Sequence, residues 1–148
     1  MAANEVIYEG SVVRRWNPLL GHVVRAAEMP SHAIHELTGN PHDRGTDWAL
    51  AGPTINGAAE FFLGLYKMAP NQIHPPHYHP VGPEFYYIVE GTCLVLVGDE
   101  WVHSGPETSI YLPQGMVHGV RTREHESVTI LYGYDLGPDG EATTVWLE

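Results

Sequence analysis

In the run HPPHYHPVGPEFYYIVEG, residues 74–91, three imidazoles (His74, His77 and His79) fall within six positions, and Glu84 follows five residues later. Imidazole and carboxylate are side chains that ligate metal ions and move protons near neutral pH. Residues two apart in a strand share a face, so His77 and His79 project together to one side of a sheet. A metal needs its donors to converge to about 2 Å from one point. Glu84, opening the next strand, would add a carboxylate from the neighbouring strand, and His118, opening a later strand after PQGMV, a third imidazole from across the barrel. Singly, each has an ordinary alternative: a His-x-His pair is more often surface, and a lone Glu84 or His118 is unremarkable. The joint spacing is what points to a site.

Positioning such a set requires a sheet. From residue 61 the chain reads as short strands at regular spacing: EFFLGLYKMAP, EFYYIVEG, TCLVLVG, SIYLPQG, MVHGVRT, SVTILYGYDL and ATTVWLE. The EG before TCLVLVG reads as a hairpin turn, and a Pro-x-Gly turn separates SIYLPQG from MVHGVRT. Turn signals every eight to twelve residues predict an antiparallel sandwich or barrel. Residues 1–60 read as an irregular extension of turns and a few strands, with one short helical turn near VVRAAEM. The histidines there (His22, His32, His35 and His42) have no tight ligand spacing and are expected to be solvated or capping. Pro75 and Pro76 break regular pairing, so the strand parity that would turn His74 away from His77 weakens. His74 is therefore kept only as a secondary candidate, extra to or substituting for one of the four, His103 has a weaker claim still, and His125, among charges in TREHES, reads as exposed.

Composition bounds the partners. The chain has 148 residues, 43% hydrophobic, with a formal charge of −11, which repels nucleic acid and anionic lipid. The one lysine is Lys67, and four of the six arginines precede residue 45, leaving few cations near the strands for a phosphate. Cys93, the single cysteine, reads as a core residue rather than a nucleophile. With no signal-peptide pattern and no long apolar run, the cytoplasm is the expected compartment. No glycine-rich dinucleotide or phosphate loop stands in a strand–helix context.

The motifs His77-x-His79, Glu84 and Gly91, followed by Pro113, Gly115 and His118, resemble the cupin superfamily. The second motif departs where Glu107 stands for its leading glycine and Thr122 for its trailing asparagine. The resemblance covers roughly residues 60–135. It implies an all-β, single-domain double-stranded β-helix at 61–148 behind the N-terminal extension, with one divalent metal on His77, His79, Glu84 and His118. Zinc is favoured, and iron, manganese and nickel are compatible with the set.

The stretch HYHPVGPEF is similar to cupin-type cyclases of bacterial aromatic polyketide pathways. The resemblance implies a cyclase or aromatase closing rings on a poly-β-ketone chain, with the metal as Lewis acid and no oxygen or redox cofactor. Glu84, Tyr86 and Tyr66 are the expected catalytic groups, in a pocket that Tyr132 and Tyr134 help to line. An iron-dependent dioxygenase of an aromatic substrate and a non-enzymatic small-molecule binder are the alternatives. Exposed sheet edges favour a homodimer, with the N-terminal segment contributing contacts.

Overall fold

The computed structural model describes residues 23–137 and 143–147, with the backbone of two paired strands, Glu5–Tyr8 (β1) and Ser11–Arg14 (β2). His22 and most of the N-terminal segment expected at a dimer contact lie outside the described residues. The helical turn foreseen near VVRAAEM is a 3-10 turn at Ala26–Glu28. Then come His32–Ala33 (β3), a short helix Ile34–Thr38 (α1), Thr46–Ala51 (β4), Phe61–Met68 (β5) and Ile73–Tyr78 (β6). Glu84–Gly91 (β7), Cys93–Val97 (β8), Glu100–Ser104 (β9) and Thr108–Leu112 (β10) follow. His118–Arg121 (β11), Val128–Asp135 (β12) and Val145–Trp146 (β13) complete the order.

Two antiparallel sheets face each other. One has six strands in the order β10-β7-β12-β5-β4-β3, the other five in the order β13-β6-β11-β8-β9. Alternation in β7 shows why: Glu84, Tyr86 and Ile88 are buried between the sheets, while Phe85, Tyr87 and Val89 point outward. Ile88, Ile130, Val95, Val120 and Cys93 close one end of the sandwich as a dry core. Each large aliphatic there contributes about 1.5–3 kcal/mol by leaving water. Burial pushes the Cys93 thiol up to about 12, as befits a core residue.

Three local expectations change. The EG at 90–91 is no hairpin turn, because β7 pairs with β10 and β12 whereas β8 pairs with β9 and β11. The chain crosses between sheets there, and Gly91 (φ +79°) is needed because a Cβ would lie 1.9 Å from the Ser127 carbonyl. The Pro-x-Gly turn likewise carries the chain from one sheet to the other, from β10 to β11. Finally, the HPPHY run is a strand. His77 pairs with His118 and His74 with Val120, so Pro75 and Pro76 together face Gly119 in a bulge. A Cβ on Gly119 would sit 2.9 Å from the His74 carbonyl.

The segment before residue 61 also carries part of the larger sheet, since β4 pairs with β5 and β3 with β4. Glu107, in place of the glycine of the resembled motif, adopts φ +61°, a conformation that favours glycine. At the position of the motif's asparagine, the Thr122 hydroxyl donates to the Ala69 carbonyl at 2.6 Å and accepts from the Gln72 amide at 3.1 Å. It ties the end of β11 to the β5–β6 turn, a fastening that the asparagine position leaves open to a hydroxyl.

Candidate metal centre

The bulge in β6 and the pairing of His77 with His118 bring two imidazoles side by side, with ring centroids 4.2 Å apart. His79 lies just past the end of β6. The structure reverses the expected places of the other two ligands: His118 is on the paired neighbour β11, whereas Glu84 opens β7 on the opposite sheet, because the chain crosses between sheets before β7. One nitrogen from each of His77, His79 and His118 and one Glu84 oxygen all lie within 4.8 Å of one another. The four residues singled out by spacing are thus gathered in space.

Their orientation is fixed from behind. His77 Nδ1 lies 2.8 Å from the Pro75 carbonyl, His79 Nδ1 2.9 Å from that of Thr143, and His118 Nδ1 2.9 Å from that of Met116. A carbonyl only accepts, so each Nδ1 carries a proton, and Nε2 is the nitrogen left to bind a cation or, when protonated, to donate to Glu84. The Nε2 atoms of His79 and His118 stand 2.9 and 2.8 Å from the same Glu84 oxygen. Lone pairs and a carboxylate converging on one spot fit a divalent cation.

The electrostatic directions differ within the cluster. Burial, followed by the charges of His74 and His118, lowers His77 to about 2 and keeps it neutral. Burial alone would raise Glu84, but the hydrogen bonds from His118 and His79 overrule it and hold the carboxyl down at about 2. Burial also opposes charge on His79, yet the hydrogen bond and charge of Glu84 outweigh it and raise its pKa.

The cluster opens on a cavity of about 590 Å³ between the sheets. One wall is an aromatic stack in which Phe62 lies 5.1 Å from Tyr134 and 6.0 Å from Tyr132. Tyr134 in turn lies 6.0 Å from His79. Trp146 packs 4.8 Å from His77.

The other expected residues take different places. Tyr86 lies 5.9 Å from His118, and its buried hydroxyl has no hydrogen-bond partner among the described residues. Burial raises its pKa well above 10, so it stays a donor. Tyr66 lines the cavity, but its hydroxyl donates to the Arg44 carbonyl. His74 also turns toward the cavity, its ring 4.6 Å from His77, yet its Nδ1 is held 2.7 Å from Asp43, itself bound by Thr38. It stands outside the group of four. His103 pairs instead with Glu126 at 3.2 Å, and His125 is exposed.

Four cavity or support residues carried no signal in the sequence: Asp43, Asp47, His32 and Trp146. His32 lines the cavity rather than standing in solvent. The two aspartates sit in or beside TGNPHDRGTD, where turn chemistry masks them.

Residues 64–134 match the family model described as the cupin domain. The chain is 28% identical over 100 residues to the tetracenomycin polyketide synthase protein TcmJ of Streptomyces glaucescens, covering 68% of this chain and 67% of that protein. It is 29% identical over 99 residues to the polyketide synthase CurC of Streptomyces cyaneus, covering 67% of this chain and 64% of that protein. In fold it is similar to the polyketide cyclase RemF from Streptomyces resistomycificus, with a TM-score of 0.69, 22% identity, and coverage of 87% of this chain and 88% of that one.

Proposed function

Since residues 64–134 form a cupin domain on a double-stranded β-helix, we propose that the protein is a metal-dependent polyketide cyclase or aromatase, closing rings on a poly-β-ketone chain. One observation carries the reading: three imidazoles, each locked by an Nδ1–H to a backbone carbonyl, turn their lone pairs with Glu84 toward an aromatic-walled cavity. The names of the relatives support it.

His77, His79, Glu84 and His118 would hold the ion, with zinc proposed. Bound there, a divalent ion would supply Lewis acidity toward a ketone or enolate oxygen. The protein's own residues do the rest. Phe62, Tyr132 and Tyr134 offer a flat apolar wall against which a flexible chain is held in one fold, and regiochemistry in this reaction is a matter of orientation. Tyr86, protonated and unpartnered, is the proposed hydrogen-bond donor to the oxygen that gains charge. Tyr66 is proposed to steady His74, whose ring lies 5.5 Å away. Such a cavity falls within the size range of small-molecule sites.

The experiment supplies a poly-β-ketone substrate under strict anaerobiosis to metal-free protein restored with zinc or with iron. Equal cyclisation with zinc and without oxygen supports the cyclase. Activity only with iron and air replaces it with the dioxygenase, and binding without turnover with the non-enzymatic cupin.

We further propose a homodimer, supported by the outward row of Phe85, Tyr87 and Val89 beside Tyr111, which is 69% exposed. A sedimentation mass near 16.4 kDa contradicts it. The proposed compartment is the cytoplasm, and among the described residues no helix is long and apolar enough to cross a membrane.

A further inference from the structure

Across the sheet from the metal-ligand cluster, the cavity has a second polar pole. Asp47, on β4, is completely buried and lines the cavity. Its Oδ1 accepts a hydrogen bond from the Tyr132 hydroxyl at 2.6 Å, and its Oδ2 has no partner among the described residues. A buried carboxylate oxygen without a donor is costly, so native structures rarely leave one unserved.

The arrangement is built into the backbone. Asp47 pairs with Tyr66 on β5, while Tyr132 projects from β12 on the far side of that strand. Tyr132 reaches Asp47 only by lying across β5, and it crosses at Gly64. A Cβ on Gly64 would stand 2.5 Å from both the Tyr132 Cζ and its hydroxyl oxygen. The sheet gives up a side chain there, and the tyrosine that crosses occupies one oxygen of the carboxylate and leaves the other.

We propose that Asp47, one oxygen of which is taken by the Tyr132 hydroxyl, is a specificity-determining residue whose free oxygen accepts a hydrogen bond from an enol or phenol hydroxyl of the ligand. The proposal rests on reading the cavity as the substrate chamber. A poly-β-ketone enolises readily and its ring-closed product is a phenol, so both carry O–H donors at spaced positions, whereas an ether or a hydrocarbon ring carries none. Burial pushes the Asp47 carboxyl up to about 6, against the lowering effect of the Tyr132 hydrogen bond, so slightly above neutral pH it is an ionised acceptor. Such an acceptor discriminates strongly against ligands that offer no donor.

The test measures binding, independently of turnover. Calorimetry on the zinc-loaded protein compares 1,3-dihydroxynaphthalene with its dimethyl ether at a fixed, mildly alkaline pH, with zinc content checked in every variant. Both ligands meet the same metal, so any contribution of the metal to the diol preference is common to wild type and variants. Asp47→Asn keeps the shape and the Tyr132 contact but puts an amide donor where Oδ2 stood. It should cut the diol-over-ether affinity ratio by about tenfold or more, with zinc retained. Tyr132→Phe keeps the carboxylate and should leave the ratio at or above the wild-type value. An unchanged ratio in Asp47→Asn means that a buried water serves Oδ2 and overturns the proposal. A ratio lost in Tyr132→Phe assigns the effect to packing and overturns it equally, whether or not Asp47→Asn folds. Failure of cyclisation with this ratio still responding would instead sink the cyclase reading alone.

Discussion

Asp47→Asn should also change how stability depends on pH, and the magnitude follows from the burial of one carboxyl. Burial raises the Asp47 pKa from 3.8 to about 6, opposed by the Tyr132 hydrogen bond and by His32 and His74. Between those values the folded protein holds a proton that the unfolded chain has released. The stability tied to that proton is therefore fully present below about pH 4 and is lost as pH rises through about 6. A shift of roughly two units corresponds to about 3 kcal/mol. Asparagine has no such proton, so the variant should gain on the wild type across this window by about 2–3 kcal/mol. The assay is urea unfolding of both proteins at steps from about pH 4 to about pH 7.5, plotted as the difference in unfolding free energy. Protonation of the metal-binding imidazoles is common to both proteins and cancels in that difference. A difference that stays flat across the window would refute the reasoning, because Asp47 would then titrate alike in the folded and unfolded chains. The predicted gain also means that the wild type keeps a carboxylate at a cost to stability, as binding residues often do.

His118→Ala should remove most bound metal, read by elemental analysis, because a three-ligand remnant binds far more weakly; full occupancy would contradict the ligand set. Glu107→Gly should raise the urea midpoint with an unchanged slope, by about 0.5–1 kcal/mol, since φ +61° strains any side chain there. Gly64→Ala should cost about 1–3 kcal/mol and weaken the Tyr132–Asp47 contact, because its methyl group meets the tyrosine ring at 2.5 Å; unaltered stability and near-UV circular dichroism would argue against the crossing. Cys93, wholly buried with its pKa near 12, should resist thiol reagents until the protein unfolds, and rapid labelling of the native protein would count against its place in the core.

Much of the strand half was legible from local pattern. Period-two alternation in EFYYIVEG announced a strand with Glu84, Tyr86 and Ile88 on one face, and the pleat delivers that face to the interior. His77 and His79 share a side for the same reason, and the resemblance carried by Gly91, Pro113 and Gly115 led to His118 and to the double-stranded β-helix. These features depend on residues near one another in the chain, where covalent geometry leaves little choice.

Partnership between distant strands is of another kind. A glycine turn looks the same whether it closes a hairpin or carries the chain to the opposite sheet, so the crossings at Gly91 and Gly115 had no local signature. Two prolines read as an interruption until a facing bulge at Gly119 absorbs them. Asp47 and Tyr132, 85 residues apart, meet only because β4, β5 and β12 lie side by side and Gly64 leaves room between them. The sequence by itself determined which residues alternate, turn and could ligate. The tertiary structure alone decided which oxygen is left without a partner, because burial and hydrogen-bond satisfaction belong to the whole packed chain and to no segment of it.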